Sequence, residues 1–285
     1  MSQADPPLRI EAGGPSWPTV LDNIDGPPTR LWVRGRAELL LEGRRVAIVG
    51  TRSPTPYGEA QAERFGRALA AAGLIVVSGM ARGVDQAAHR AALSAGGDTI
   101  AVLGSGVDVP WPKVPLADEL GVRGLLLSEF PPGQGPRPHH FPLRNRIISG
   151  LSEAVVVIEA AGASGSLITA RWAADQGRAV YALPGRVDHP MSRGAHRLLR
   201  EGAGLLEGPQ ELIGELLGDA MRERSSPPPP EGPLLTALVG ETLSVDELSE
   251  RLDREVSELL VELVTHELNG RVIRAPGGLY RLPTR

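Results

Sequence analysis

The chain reads as an α/β protein: a doubly wound, mostly parallel Rossmann-like sheet followed by a small C-terminal winged helix domain. Three observations predict it. Short β-branched runs alternate with helical stretches from Arg45 to Leu217, and the runs are apolar on both faces. A proline run then precedes a last segment with signals for three short helices and two strands. Strands without a polar face need cover on both sides, which helices flanking a parallel sheet provide.

Taken in order, residues 1–43 form an irregular lead-in, because Pro18, Pro27 and Pro28 break any long helix. The domain 44–221 follows: VAIVG, a helix over Tyr57–Ala72, LIVVSG, a helix over Gly83–Ala95, TIAVLG, a Pro-rich connection and LLLSE. A helix near Pro142–Leu151, the run AVVVIEA, a helix over Ser166–Gln176 and AVYALPG continue it, and Arg193–Glu201 and Pro209–Leu217 close it. Residues 222–233, RERSSPPPPEGP, favour an extended, semi-rigid spacer. In 234–285, LLTALVG precedes SVDELSERL, which opens on Ser244 with Glu247 as a capping box. A helix over Glu255–Leu268 leads into RVIRA and GLYRL, turning at Pro276-Gly277-Gly278. Winged helix modules often bind DNA. Here the third helix carries Glu255, Glu258, Glu262 and Glu267 against Arg254 and His266, which repels phosphate, so a protein-contact role fits as well.

Composition narrows the function classes. A length of 285 residues allows one full α/β domain plus a smaller module. A net charge of −4 argues against a surface coated in basic residues, but leaves room for a local basic site. Lys113 is the only lysine, so almost all positive charge is guanidinium, suited to forked phosphate contacts. Cysteine is absent, which excludes disulfides, thiolate catalysis and Cys-based zinc sites. No apolar run approaches the roughly 18 residues of a membrane span, and the first residues lack a secretory signal, so a cytoplasmic protein without membrane contact is expected.

The chemistry is expected beyond the carboxyl ends of the strands. There the runs enter Gly50-Thr51-Arg52-Ser53, Gly79-Met80-Ala81-Arg82-Gly83, Gly104-Ser105-Gly106 and Gly162-Ala163-Ser164-Gly165-Ser166. Tight βα turns need glycine in any case. Four such loops on one edge point further, to backbone amides approaching phosphate. Neither G-x-G-x-x-G nor G-x-x-x-x-G-K-[ST] is present, so no dinucleotide or nucleotide cofactor is expected. The segment Arg137–Ile148, RPHHFPLRNRII, gathers Arg137, Arg144 and Arg146 around Phe141 with no acid among them, and an aromatic beside arginines can stack a base while holding phosphate. A buried core Phe is the plainer reading.

Asp85 and His89 stand one helical turn apart and could share a metal as in a nuclease; an acid at a helix start satisfied by the histidine fits better, so no metal is expected. A rival reading is a nucleotide phosphoribohydrolase of the lysine-decarboxylase-like fold, with signature P-G-G-x-G-T-x-x-E. The nearest segment, Ala163–Thr169, has Ser166 at the threonine position and Thr169 where the glutamate would stand, which removes the carboxylate catalyst.

In order along the chain, VAIVGTRS, SGMARGVDQAAH, GSGVDVPWPK, FPLRNRIISGLS and SGSLITARWAADQGR resemble the DNA-processing protein A family, also called Smf. The resemblance spans roughly Trp17–Leu217 and, more loosely, the terminal module. It implies a non-enzymatic protein that binds single-stranded DNA regardless of sequence, forms a homodimer and hands the strand to the RecA recombinase in natural transformation. By motif position it implies phosphate contacts at Arg52 and Lys113, a base at Phe141, and Arg144, Asn145 and Arg146 along the slot. Ser164, Gly165 and Ser166 would offer amides or hydroxyls, and Gly50, Ser53, Gly79 and Gly106 are the further candidates that the glycine-rich loops themselves supply. Pro138 stands where many relatives carry a lysine, and Arg137 is its expected substitute.

Overall fold

The computed structural model describes residues 6–218, 232–239, 241–268, 271–275 and 277–282. The chain divides into two compact units, Met1–Ser225 and Ser226–Arg285. Residues 222–231 of the expected spacer lie outside the described residues.

The first unit is a nine-stranded sheet. Its parallel part comprises β3 (Arg45–Val49), β4 (Ile75–Ser78), β5 (Thr99–Val102), β6 (Leu125–Ser128), β7 (Ala154–Val157), β8 (Ala179–Ala182) and β9 (Gly204–Leu205). Between these strands run α1 (Pro56–Ala71), α2 (Val84–Ser94), α3 (Pro115–Arg123), α4 (His140–Gly150), α5 (Ser166–Asp175) and α6 (Arg193–Arg200), and α7 (Pro209–Leu217) follows β9. The helix starts follow local chemistry. Thr55 caps α1, its hydroxyl accepting from Gly58 N at 3.1 Å, with Pro56 fixing the first turn.

Strand alternation sends side chains to both faces, and both are apolar because both are covered. Ala47, Val49, Val77, Val155 and Val157 meet Ile147 and Ile148 of α4 and Leu167, Ala170 and Ala173 of α5. Their neighbours Val46, Ile48, Val76 and Val156 meet Phe65 and Leu69 of α1, Ala88 of α2 and Leu212 of α7.

The lead-in is not irregular. Leu8–Glu11 (β1) and Arg30–Gly35 (β2) extend the sheet, β1 pairing antiparallel with β2 and β2 antiparallel with β6. Prolines exclude a long helix but not an edge strand, and β2 begins only after Pro27 and Pro28. Trp17, Leu21, Ile24, Leu31 and Val33 are buried in the core of the unit.

Strand order is β1-β2-β6-β5-β4-β3-β7-β8-β9. From β3 the chain winds outward through β4, β5 and β6, then returns to β7 on the other side of β3. Loops after β3 and β7 therefore diverge, leaving a crevice where the winding reverses.

In the second unit α8 (Pro233–Ala237), α9 (Val245–Leu252) and α10 (Val256–Leu268) accompany a sheet of order β10-β12-β11, made of Thr242–Ser244, Leu279–Arg281 and Ile273–Ala275. This is the winged helix arrangement. The Ser244–Glu247 capping box is formed. Gly277 and Gly278 turn the hairpin at φ +82° and +75°, a conformation glycine adopts without strain, while Pro276 lies outside the described residues. Leu234, Leu248, Leu259, Leu263 and Tyr280 form its core.

Candidate functional site

At the reversal point between β3 and β7 lies a cavity of about 630 Å³. Gly50 and Arg52 of the β3 loop, Ala81 beyond β4, Ala161 and Ala163 to Ser166 beyond β7, and Phe141, Arg144 and Asn145 of α4 line it. Gly50 is required there, because a Cβ would come within 2.6 Å of the Val84 side chain. The cavity also faces the start of α5, where the Gly165 N–H has no hydrogen-bond partner among the described residues and carries the partial positive charge of a helix N-terminus, while the Ser166 N–H donates to Ser164 Oγ at 3.4 Å. Ser164 and Ser166 hydroxyls lie 2.8 Å apart.

Phe141 is half-buried, resting on Gly104, where a Cβ would approach its ring to 2.9 Å. The exposed Arg52 guanidinium sits 5.7 Å from the ring centroid and has no ion pair among the described residues. An aromatic ring and an unneutralised cation thus share the cavity wall.

Arg144 forms the floor. Its guanidinium donates to Gly79 O at 2.9 Å and to Val102 O, and its Nε donates to Asn145 Oδ1 at 3.2 Å. Asn145 in turn donates to Gly165 O at 3.4 Å, tying α4 to the β7 loop. Burial lowers the Arg144 pKa to about 10, so it remains a cation at neutral pH. Beside it Asp85 accepts from Gly79 N at 3.1 Å and Ala81 N at 3.2 Å. Burial pushes its carboxyl up to about 6, with the charge of Arg144 opposing the rise.

The structure thus brings together Gly50, Arg52, Phe141, Arg144, Asn145, Ser164, Gly165 and Ser166. Other expected residues stand elsewhere. Arg146 is turned into the protein: its guanidinium forms a two-pronged pair with Glu129, both contacts at 2.7 Å, and Nε donates to Gly26 O at 2.8 Å. On a helix, Arg146 lies about 200° around from Arg144, and sequence proximity hides that. The Gly79 amide is taken by Asp85 and the buried Gly106 amide by Gln134 O, so neither faces a ligand. Ser53, Lys113 and Arg137 are exposed and do not line the cavity.

Ile168 is one of the lining residues that the sequence reading missed. Leu167, Ala170 and Ala173 form the buried stripe of α5, and Ile168 falls off that stripe, 39% exposed. An apolar residue outside its helix's stripe was the available signal.

His89 does not satisfy Asp85. Its Nδ1 donates to Thr99 Oγ1 at 2.7 Å, since the Thr99 hydroxyl donates onward to Val76 O. Among the described residues no group of three His, Asp or Glu side chains is arranged to hold a metal, and no helix is long and apolar enough to cross a membrane.

Residues 9–217 match the family model described as DNA recombination-mediator protein A, and residues 219–278 match the DprA winged helix domain. Protein Smf of Escherichia coli is 40% identical over 96% of this chain and 77% of its own length. The X-ray structure of DNA processing protein A from Streptococcus pneumoniae superposes with a TM-score of 0.70 at 42% identity, covering 73% of this chain and 74% of that one. DNA processing protein A from Helicobacter pylori, a structure described for its single-stranded DNA binding mode, gives 0.68 at 33% identity, over 75% of this chain and 96% of that one.

Proposed function

Because the chain belongs to the DNA recombination-mediator protein A family, a family of mediators and not of enzymes, we propose that it binds single-stranded DNA in the cavity between the β3 and β7 loops. The observation that carries this reading is the unpaired Arg52 guanidinium over Phe141, beside the Gly165 amide at the start of α5. A base rests on the ring, its phosphate meets Arg52, the Gly165 amide and the Ser164 and Ser166 hydroxyls, and no bond is broken. Such contacts ignore base identity. A duplex binds poorly, since bringing a paired base to Phe141 costs a few kcal/mol of unstacking.

Lys113 and Arg137, both exposed, extend the phosphate path outside the cavity. The strand is then passed to the RecA recombinase in natural transformation, in the cytoplasm. Two copies of the chain act as a homodimer, placing two sites on one strand and raising affinity through effective concentration.

Fluorescence anisotropy with oligo-dT tests the binding step. With about three phosphates neutralised, at Arg52, Lys113 and Arg137, log K is expected to fall against log salt with a slope of about −2, from roughly −0.7 per phosphate on single strands. Arg52→Glu is expected to weaken every oligonucleotide alike by about 1–3 kcal/mol. Failure of the unmodified protein to bind oligo-dT in dilute salt would overturn the reading.

A further inference from the structure

A second groove of about 810 Å³ adjoins the first cavity and shares Ala163, Ser164 and Ile168 with it as a common wall. Arg171, Arg178 and Arg197 line this groove, against the carboxylates of Asp175 and Glu201. Glu201 already faces Arg197 at 3.7 Å, one helical turn away. Arg171 is exposed and makes no hydrogen bond or ion pair among the described residues. Arg178 donates from one terminal nitrogen to Gly150 O at 3.2 Å, but its buried Nε has no partner. That Nε lies out of a ligand's reach, but Nη1 makes no hydrogen bond among the described residues, and an anionic oxygen in the groove can accept from it.

The shared wall has the character of a crossing. The Gly162–Gly165 turn has two glycines at which an added Cβ would meet nothing within 4 Å, so a chain can pass close over its backbone. Ile168 presents an apolar surface to both sides. Arg171 stands three residues on, on the same side of α5. Apolar surface beside a free guanidinium repeats, on the far side of the turn, the pairing of Phe141 with Arg52.

We infer that a single strand seated in the first cavity continues over the Gly162–Gly165 turn into this second groove, where its phosphodiester groups meet Arg171 and Arg178. The inference rests on the reading that the first cavity takes single-stranded DNA. It makes the footprint of one chain longer than the first cavity and gives the strand a direction along α5 towards α6. Arg197, whose Nη1 donates to Gly162 O at 3.4 Å, braces the turn itself.

The test compares a short oligo-dT of about five nucleotides with one of about fifteen, lengths near the two ends of the range of single-strand site sizes. Full-length Arg171→Glu is expected to weaken the long oligonucleotide about tenfold and leave the short one unchanged. Arg171→Gln is expected to make the salt slope for the long oligonucleotide shallower by about 0.7. Arg52→Glu is expected to weaken both lengths. Because Arg171 is exposed and unpaired, neither substitution removes a contact of the fold, and circular dichroism checks this.

Equal affinity of unmodified and Arg171→Glu protein for the long oligonucleotide, with Arg52→Glu still impaired, would overturn the second groove and leave the first intact. An equal loss on both lengths would also overturn it, by placing Arg171 in the first site. If the unmodified protein binds neither oligonucleotide, the parent reading itself fails.

Discussion

Replacing Glu129 by alanine is expected to lower the unfolding free energy of the first unit by about 3–5 kcal/mol. Glu129 follows β6 and meets Arg146 of α4 with side-chain exposures of 14% and 6%. Without the carboxylate, the guanidinium keeps Gly26 O and Leu143 O as acceptors but loses its counter-charge in a site that water scarcely reaches. Breaking a buried pair from one side is far costlier than removing both members, so Glu129→Leu with Arg146→Met is expected to recover most of the loss. All four tryptophans, Trp17, Trp32, Trp111 and Trp172, lie in the first unit, so their fluorescence during urea unfolding of the full chain reads this unit alone. A loss below about 1 kcal/mol in Glu129→Ala would mean that the pair behaves as an exposed one.

The same double variant decides a point of function. Arg146 stands in the most basic segment of the sequence, where a phosphate contact is expected, yet the structure gives its charge to Glu129. Single-strand affinity of the double variant is therefore expected to match that of the unmodified protein. A tenfold loss would return Arg146 to the slot.

What was legible in the sequence follows from what is periodic or local. Apolar runs without a polar face gave the parallel sheet, Ser244 and Glu247 gave a helix start, and glycine-rich strand ends gave the edge where the cavity lies. Each of these signals is carried by residues close in the chain. The edge strands β1 and β2 were missed because β2, RLWVRG, fully buries only Leu31 and Val33 and places Arg30, Trp32 and Arg34 on a partly covered face, so it lacks the apolar run of the central strands. Sorting arginines by role was also beyond reach. Arg144, Arg146 and Arg52 look alike as letters, and their division into floor, internal pair and free cation depends on Gly79, Glu129 and Phe141, all distant in sequence from at least one partner. Long-range pairing leaves no spacing signature.

Acid is expected to act on this unit through two buried groups of opposite sign. His89 is wholly buried, with Nε2 unpartnered, and burial lowers its pKa from 6.5 to about 3. The unfolded chain takes up that proton near pH 6.5 while the folded one does not, so the stability His89 contributes is present above pH 6.5 and is lost as pH falls towards 3. Asp85, raised from 3.8 to about 6, works the other way: it is protonated in the fold first, and its contribution is full below 3.8 and lost as pH rises through 6. At roughly 1.4 kcal/mol per unit, the two nearly cancel between about pH 4 and 6.

Substitution exposes each half. In His89→Asn the amide can still donate to Thr99, and stability relative to the unmodified protein is expected to rise by about 1.4 kcal/mol per pH unit as pH falls from 6 to 4. In Asp85→Asn the difference from the unmodified protein is expected to grow less favourable over the same range. Taking differences at each pH removes the common background of the other carboxylates, and urea midpoints at pH 6, 5 and 4 suffice to read both slopes. A His89→Asn difference that stays flat across that range would mean that the imidazole titrates alike in the folded and unfolded chain, and that α2 opens to water beside the floor of the cavity.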